Sequence, residues 1–241
     1  MKYYIITSDK YNLLLEGYAK LFNHFWDSTI DVTILGFSRP DLTLPSNFKF
    51  HSMGKQSDWD TWSGPLIEYF NSIDDEYIFI CFEDHYITDT VNTVLFNEAL
   101  SYCDGSIDKV YLMIENRTIT SDYKGNFFNS QDSRGANVNN SLLPAIWKRN
   151  FFMKLLDSNI KTAHDFEAVN NKQLGGNIIQ SQNVIYPNVD CARKGNFNQP
   201  VFTEYNESKS YNCGAYRQHI QEIAMPVFYD MYNKWMSKYE R

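Results

Sequence analysis

No stretch of the chain approaches the roughly 18 consecutive apolar residues that cross a bilayer, and no run of four basic residues occurs. The first absence leaves no membrane span to expect. The second goes with 22 Lys and Arg against 29 acids and a net charge of −7. Partners of duplex nucleic acid carry a basic face, so no nucleic acid is expected to bind. A small anionic ligand stays compatible, because one divalent cation offsets acids at its site. The four cysteines, at 81, 103, 191 and 213, form no C-x-x-C pair, which leaves a zinc ribbon or thioredoxin-like centre unsupported. Cys81 lies inside an apolar run and reads as buried packing. Met1 to Asp9 is too short and too strand-like for a signal peptide, so a soluble, cytoplasmic protein is the expectation. Also missing are the G-x-G-x-x-G turn and the G-x-x-x-x-G-K-[ST] loop, which disfavours ordinary NAD and P-loop enzymes. No internal repeat is visible.

Present instead are 43% hydrophobic and 16% aromatic residues over 241 positions, enough for one large α/β domain, or for one domain with a small C-terminal appendage. Short apolar runs over Lys2–Asp9, Asp31–Phe37, Phe48–Met53, Tyr77–Phe82 and Lys109–Ile114 read as strands. Between them, Leu13–Trp26, Trp62–Ile73 and Thr90–Tyr102 carry apolar residues at helical spacing. Ser63 is placed to cap the second helix, and Asp89 or Thr90 the third. This alternation predicts βαβ units in a mostly parallel sheet, with ligands outside the carboxyl ends of the strands. Thr7, Asp9, Gly36–Ser38 and Glu83–His85 fall on that rim. Residues 116–140 turn polar and read as a long loop or irregular hairpin. Then follow a short strand at Ser141–Trp147, a helix at Arg149–Leu156, a helix at His164–Gln173 and an edge strand at Asn177–Val189. A closing helix spans Arg217–Tyr239, with Pro226 expected to kink it. Residues 1–190 are thus expected to form the main domain, and 191–241 an extension packed on it.

Tyr77–Phe82 is the strongest central-strand signal, and it ends abruptly in Glu83-Asp84-His85. Adjacent ionised acids repel each other and are tolerated where they bind a cation or face water. Mg²⁺ prefers oxygen ligands, and Mn²⁺ accepts imidazole as well. In an extended chain Glu83 and His85 point to one side and Asp84 to the other. The competing reading is a loop of solvated charges before a helix start.

The pattern Tyr77-Ile-Phe-Ile-Cys-Phe-Glu-Asp-His85, followed by Thr90–Tyr102, resembles the central strand, D-x-D-type motif and next helix of GT-A glycosyltransferases. The resemblance extends to small capsule- and surface-polysaccharide transferases. It includes a tryptophan-bearing segment before the acids (Trp59, Trp62), a stretch like Ser141-Leu-Leu-Pro-Ala-Ile-Trp147, and a later Asp165-Phe-Glu167. It covers about residues 1 to 190, and the order of the short motifs carries it. It implies a GT-A, Rossmann-like fold and transfer of a sugar from a nucleotide-diphosphate sugar to a carbohydrate acceptor. It also implies Mn²⁺ or Mg²⁺ held at Glu83, Asp84 and His85. The motif departs from a strict D-x-D, which leaves the ligand open among these three and a metal-free mode open too.

Other candidates follow in the same frame. Asp165, with Glu167 behind it, is placed to act as general base on the acceptor hydroxyl, which implies inversion; helix N-terminal charge is the plainer role for both. His164 is a candidate late metal ligand or a surface residue. Trp147 is a candidate acceptor platform, against ordinary core packing. Thr7, Asp9, Trp59, Trp62 and Asp84 are the donor-binding candidates. Arg117 and Arg134 flank the polar loop within reach of a phosphate, or are simply solvated. The alternatives are a carbohydrate- or nucleotide-binding module on the same scaffold and another metal-dependent nucleotide enzyme. A nucleotidyltransferase is disfavoured because Thr7–Leu15 holds no Gly and only Lys10.

Overall fold

The computed structural model describes residues 1–56, 62–114, 118–132, 138–169, 174–193, 196–197, 210–213, 216–219 and 221–239. The strands that matter below are β1 (Lys2–Ile6), β2 (Val32–Gly36), β3 (Phe48–Ser52), β4 (Tyr77–Phe82), β5 (His85–Ile87) and β6 (Lys109–Tyr111). After them come β7 (Thr118–Lys124), β8 (Phe127–Asp132), β9 (Ala145–Lys148), β10 (Ile178–Ser181) and β11 (Asn188–Asp190). The helices are α1 (Leu15–Phe25), α2 (Ser63–Asn71), α3 (Thr93–Ser101), α4 (Arg149–Leu155), α5 (Ala163–Ala168) and α6 (Met225–Tyr239). The class is α/β, and nine strands share one mixed sheet in the order β3-β2-β1-β4-β9-β6-β10-β8-β7. The chain forms two compact units. The first holds Met1–Tyr4, Ser52–Cys81 and Asn92–Ile185, and the second Ile5–His51, Phe82–Val91 and Tyr186–Arg241.

In the first unit β4 is the spine. Ile78, Phe79 and Cys81 are fully buried and Ile80 nearly so, as the continuous apolar run predicts for a strand covered on both faces. Each large side chain so buried contributes roughly 1.5–3 kcal/mol. The sheet departs from a purely parallel one at β9, which runs antiparallel between β4 and β6, its Ile146 opposite both Phe79 and Val110. The polar stretch is a hairpin, β7–β8, joined antiparallel to β10. Gly125 turns it at φ +57°, with the Glu98 carboxylate where a side chain would stand. β10 is not an edge: it pairs parallel with β6 and antiparallel with β8. α2 begins at Ser63 without a side-chain cap, and the Ser63 hydroxyl is buried. α3 is capped by Asn92, whose Oδ1 accepts from Leu95 N at 3.1 Å, rather than by Asp89 or Thr90.

In the second unit Thr7 N donates to Leu35 O (2.9 Å) and Val32 N to Asn47 O (2.8 Å). These bonds join carboxyl end to carboxyl end and amino end to amino end, so β1, β2 and β3 run parallel. α1 buries Tyr18, Leu21, Phe22 and Phe25, the face its spacing predicts. It lies against β5 and α6. Gly17 permits that approach, since a Cβ there would collide with the Tyr86 hydroxyl and Met231. Pro226 stands in the first turn of α6 and does not break it, because a missing N–H costs nothing at that position.

Candidate functional site

At the carboxyl end of β4 the chain makes a two-residue turn, Glu83-Asp84, and re-enters a strand at His85. β5 pairs antiparallel with β11, which sets Asp190 opposite His85 and Val189 opposite Tyr86. Cys191 N donates to Asp84 O at 2.8 Å, and Tyr86 N to the same oxygen at 3.1 Å. The Tyr86 hydroxyl donates to Leu14 O at 2.7 Å, anchoring β5 on the segment before α1. The His85 imidazole thus lies between two acids. Its Nε2 is 3.5 Å from Asp190 Oδ1 and 3.9 Å from Asp84 Oδ1. Asp84 and Asp190 keep 25% and 37% of their side-chain surface, His85 12%.

Glu83 has the opposite fate. It is 4% exposed, and its Oε2 has no hydrogen-bond partner among the described residues. Burial, and then the charge of Asp84, push its carboxyl well above the usual range. The Cys191 thiol reports the same field: it is pushed up first by burial and then by Asp84, Glu83 and Asp190. Asp84 and Asp190 thus place negative charge on either side of the imidazole at a partly exposed position, which a cation relieves.

The expected ligand set of Glu83, Asp84 and His85 does not converge, because Glu83 turns into the interior. Among the described residues no group of three or more His, Cys, Asp or Glu side chains is arranged to hold a metal ion. Mg²⁺, however, is typically held by one or two carboxylates while substrate phosphates complete its shell. Asp84 and Asp190, both partly exposed beside His85, are the carboxylates at this end of β4 that such a mode could use.

On the rim of β1 and β2, Thr7 is 3% exposed. Asp9 accepts from Ser38 N and Ser38 Oγ, both at 2.7 Å. Asn12 Nδ2 donates to Ser38 O at 2.8 Å. The loop after β1 is therefore laced to the loop after β2, and both Asp9 oxygens are engaged in that lacing.

The remaining candidates belong to the first unit. Trp62 is half-buried, its ring 5.4 Å from that of Phe166. Trp147 is fully buried; Lys109 Nζ sits 3.8 Å from its ring centre and Phe152 packs at 5.1 Å. Its face is closed to a sugar, so core packing wins over the acceptor platform. α5 is short, with Thr162 as its cap: Asp165 N donates to Thr162 Oγ1 at 3.0 Å. His164, Asp165 and Glu167 are exposed, and Glu167 Oε1 accepts from Leu142 N at 2.8 Å. Trp59, Arg117 and Arg134 lie outside the described residues. Sequence reading missed Asp190, one residue beyond the alternating stretch it assigned to a strand. It also missed Lys109, whose charge at the start of an apolar run was the available signal.

No protein-family model matches the chain, and no curated protein does. Among solved structures it is similar to S. aureus TarS 1-349, at 16% identity and TM-score 0.44, covering 77% of this chain and 59% of that one. It is similar to the mannosyltransferase PcManGT from Pyrobaculum calidifontis, a structure in complex with GDP-Man and Mn2+. There the identity is 11%, the TM-score 0.48 and the coverage 81% and 58%. A cytidylyltransferase from Leptospira borgpetersenii gives 13%, 0.44, 78% and 80%. The chain thus spans less than two thirds of the TarS and mannosyltransferase chains.

Proposed function

We propose that this chain transfers a glycosyl group from a nucleotide-diphosphate sugar to a hydroxyl of a carbohydrate acceptor, with Mn²⁺ or Mg²⁺. One observation carries the reading. At the end of the buried β4, the β5–β11 pairing sets a second acid, Asp190, beside the Asp84-His85 pair, with a negative field and partial access to solvent. The cation would be held by Asp84 and Asp190 and would neutralise charge on the departing diphosphate. The sequence resemblance to GT-A enzymes at Glu83-Asp84-His85 supports a cation at this place, and Asp190 is added to it by the strand pairing. Thr7, Asp9 and Trp62 are the donor-side residues of the reading. Asp165 is the base: as the anomeric carbon leaves the diphosphate oxygen and bonds to the acceptor oxygen, the hydroxyl proton passes to this carboxylate. Its side chain is exposed, whereas Glu167 already accepts the Leu142 amide. Residues 1–190 make up the nucleotide-sugar-binding part. The packing of α6 on α1 supports 191–241 as an extension of it.

The test is calorimetry of nucleotide sugars with and without Mn²⁺, followed by turnover of the donor that binds. Donor binding that requires the cation, and loss of both in Asp84→Asn with an unchanged far-UV spectrum, is the expected result. Full turnover in chelator, or normal turnover of Asp84→Asn, would sink the proposal.

A further inference from the structure

Lys109 is fully buried at the start of β6. Its ammonium donates to Val138 O at 3.0 Å and to Ser141 O. It lies 3.8 Å from the centre of the Trp147 ring and 4.1 Å from that of Tyr111. The Tyr111 hydroxyl donates to Val138 O as well, at 2.7 Å. A buried charge is tolerated only when its hydrogens are matched, and for stability alone an apolar side chain of similar length serves as well. What the ammonium adds is geometry: it fixes two carbonyls three residues apart, and so the turn between them.

That turn faces α5 from the other side. Asn140, fully buried, donates through Nδ2 to Phe166 O at 2.8 Å. Leu142 N donates to the Glu167 carboxylate at 2.8 Å. α5 itself buries only Phe166, against Trp62 and Phe152. A six-residue helix with one buried side chain does not set its own position. The hydrogen bonds from the turn supply what it lacks.

We propose that Lys109 and Asn140 are positioning residues for α5. Lys109 holds the 138–142 turn, and the turn fixes where the carboxylates of Asp165 and Glu167 stand. The catalytic consequence rests on the reading of Asp165 as the base. Under it, a displacement of about 1 Å costs on the order of 100-fold in rate. The physical coupling from Lys109 to α5 does not depend on that reading.

The experiment pairs hydrogen exchange with kinetics on the full chain carrying Lys109→Met or Asn140→Ala. Phe166 N and Val169 N, bonded to Thr162 O and Asp165 O at 3.1 Å each, report on α5, Leu142 N on the turn, and β2 on the rest of the fold. Both variants are expected to exchange roughly tenfold faster or more at these three amides, with β2 unchanged. Turnover should fall while the donor KM holds. Native protection at α5 in a folded variant overturns the proposal, whatever its activity. Faster exchange with full turnover supports the coupling and counts against Asp165 as the base. Should Lys109→Met unfold the whole chain, Asn140→Ala carries the same outcomes alone.

Discussion

Glu83 and Asp84 are adjacent carboxylates with opposite surroundings, one sealed in the interior and one partly exposed. Sequence made the pair legible, because two acids after a buried strand are costly without a purpose. Which of them faces outward was not legible, since a turn breaks the alternation that an extended chain would impose. The difference gives a prediction. Glu83→Gln should keep cation-dependent donor binding by calorimetry, whereas Asp84→Asn loses it. Asp190→Asn should behave like Asp84→Asn, though it lies more than a hundred residues away in the chain. Asp165→Asn belongs to the same scale. A positioned base contributes roughly 10²- to 10⁴-fold, so kcat should fall by that order with donor affinity unchanged. Glu167→Gln retains an oxygen to accept the Leu142 amide and should lose far less. Asp190 escaped sequence reading because its role is created by strand pairing, which no local pattern encodes.

At the scale of elements, spacing located most helices and the central strands well and placed their neighbours poorly; the closing helix, expected from Arg217, begins at Met225, and Tyr216–His219 is a strand. β4 was found residue for residue, because six apolar side chains in a row admit little else. β9 was found as a strand, but its antiparallel direction was not, because direction depends on what lies on either side. Val94, one of the apolar residues within the Thr90–Tyr102 spacing, is 76% exposed; the helix starts at Thr93 and its inward stripe is Leu95, Phe96 and Ala99. Gly17 illustrates packing overriding propensity. In an isolated helix Gly17→Ala gains about 1 kcal/mol, but here the added methyl meets Tyr86 and Met231. Overpacking costs roughly 1–3 kcal/mol, so the melting temperature should fall rather than rise. The same α1–α6 contact carries an ion pair, Lys234 to Glu16 at 2.8 Å. Hydrogen bonds from Lys20 and Lys234 lower the Glu16 carboxyl, and Glu16 in turn raises Lys234. The pair is therefore fully stabilising above Glu16's ordinary value of 4.5 and below Lys234's of 10.5. It fades as acid passes the lowered Glu16 value or base the raised Lys234 value. Both side chains are partly exposed, so Lys234→Met should cost at most about 1 kcal/mol in urea melts at pH 7, and less at pH 3.

For the molecule as a whole, composition was informative chiefly by exclusion. Among the described residues no helix is long and apolar enough to cross a membrane, in line with the absence of a long apolar run. With a net charge of −7, the proposed function sets a global expectation for ligand binding: an anionic donor alone would meet an acidic protein, and a cation would remove that penalty. Donor and Mn²⁺ together should therefore raise the melting temperature by more than the sum of their separate shifts. At a hundredfold excess over Kd, the linkage adds on the order of 2.7 kcal/mol. Additive shifts would count against a shared site. The antiparallel β9 also constrains the order of events during synthesis. β4 and β6 are separated in the sheet by a strand that begins only at Ala145. Until that strand has left the ribosome, the facing edges of β4 and β6 have an unfilled lane between them and the ladder hydrogen bonds on those edges unmet. Early closure of the sheet is therefore ruled out by topology, and the nascent chain must carry exposed strand edges for longer than an all-sequential βαβ chain would.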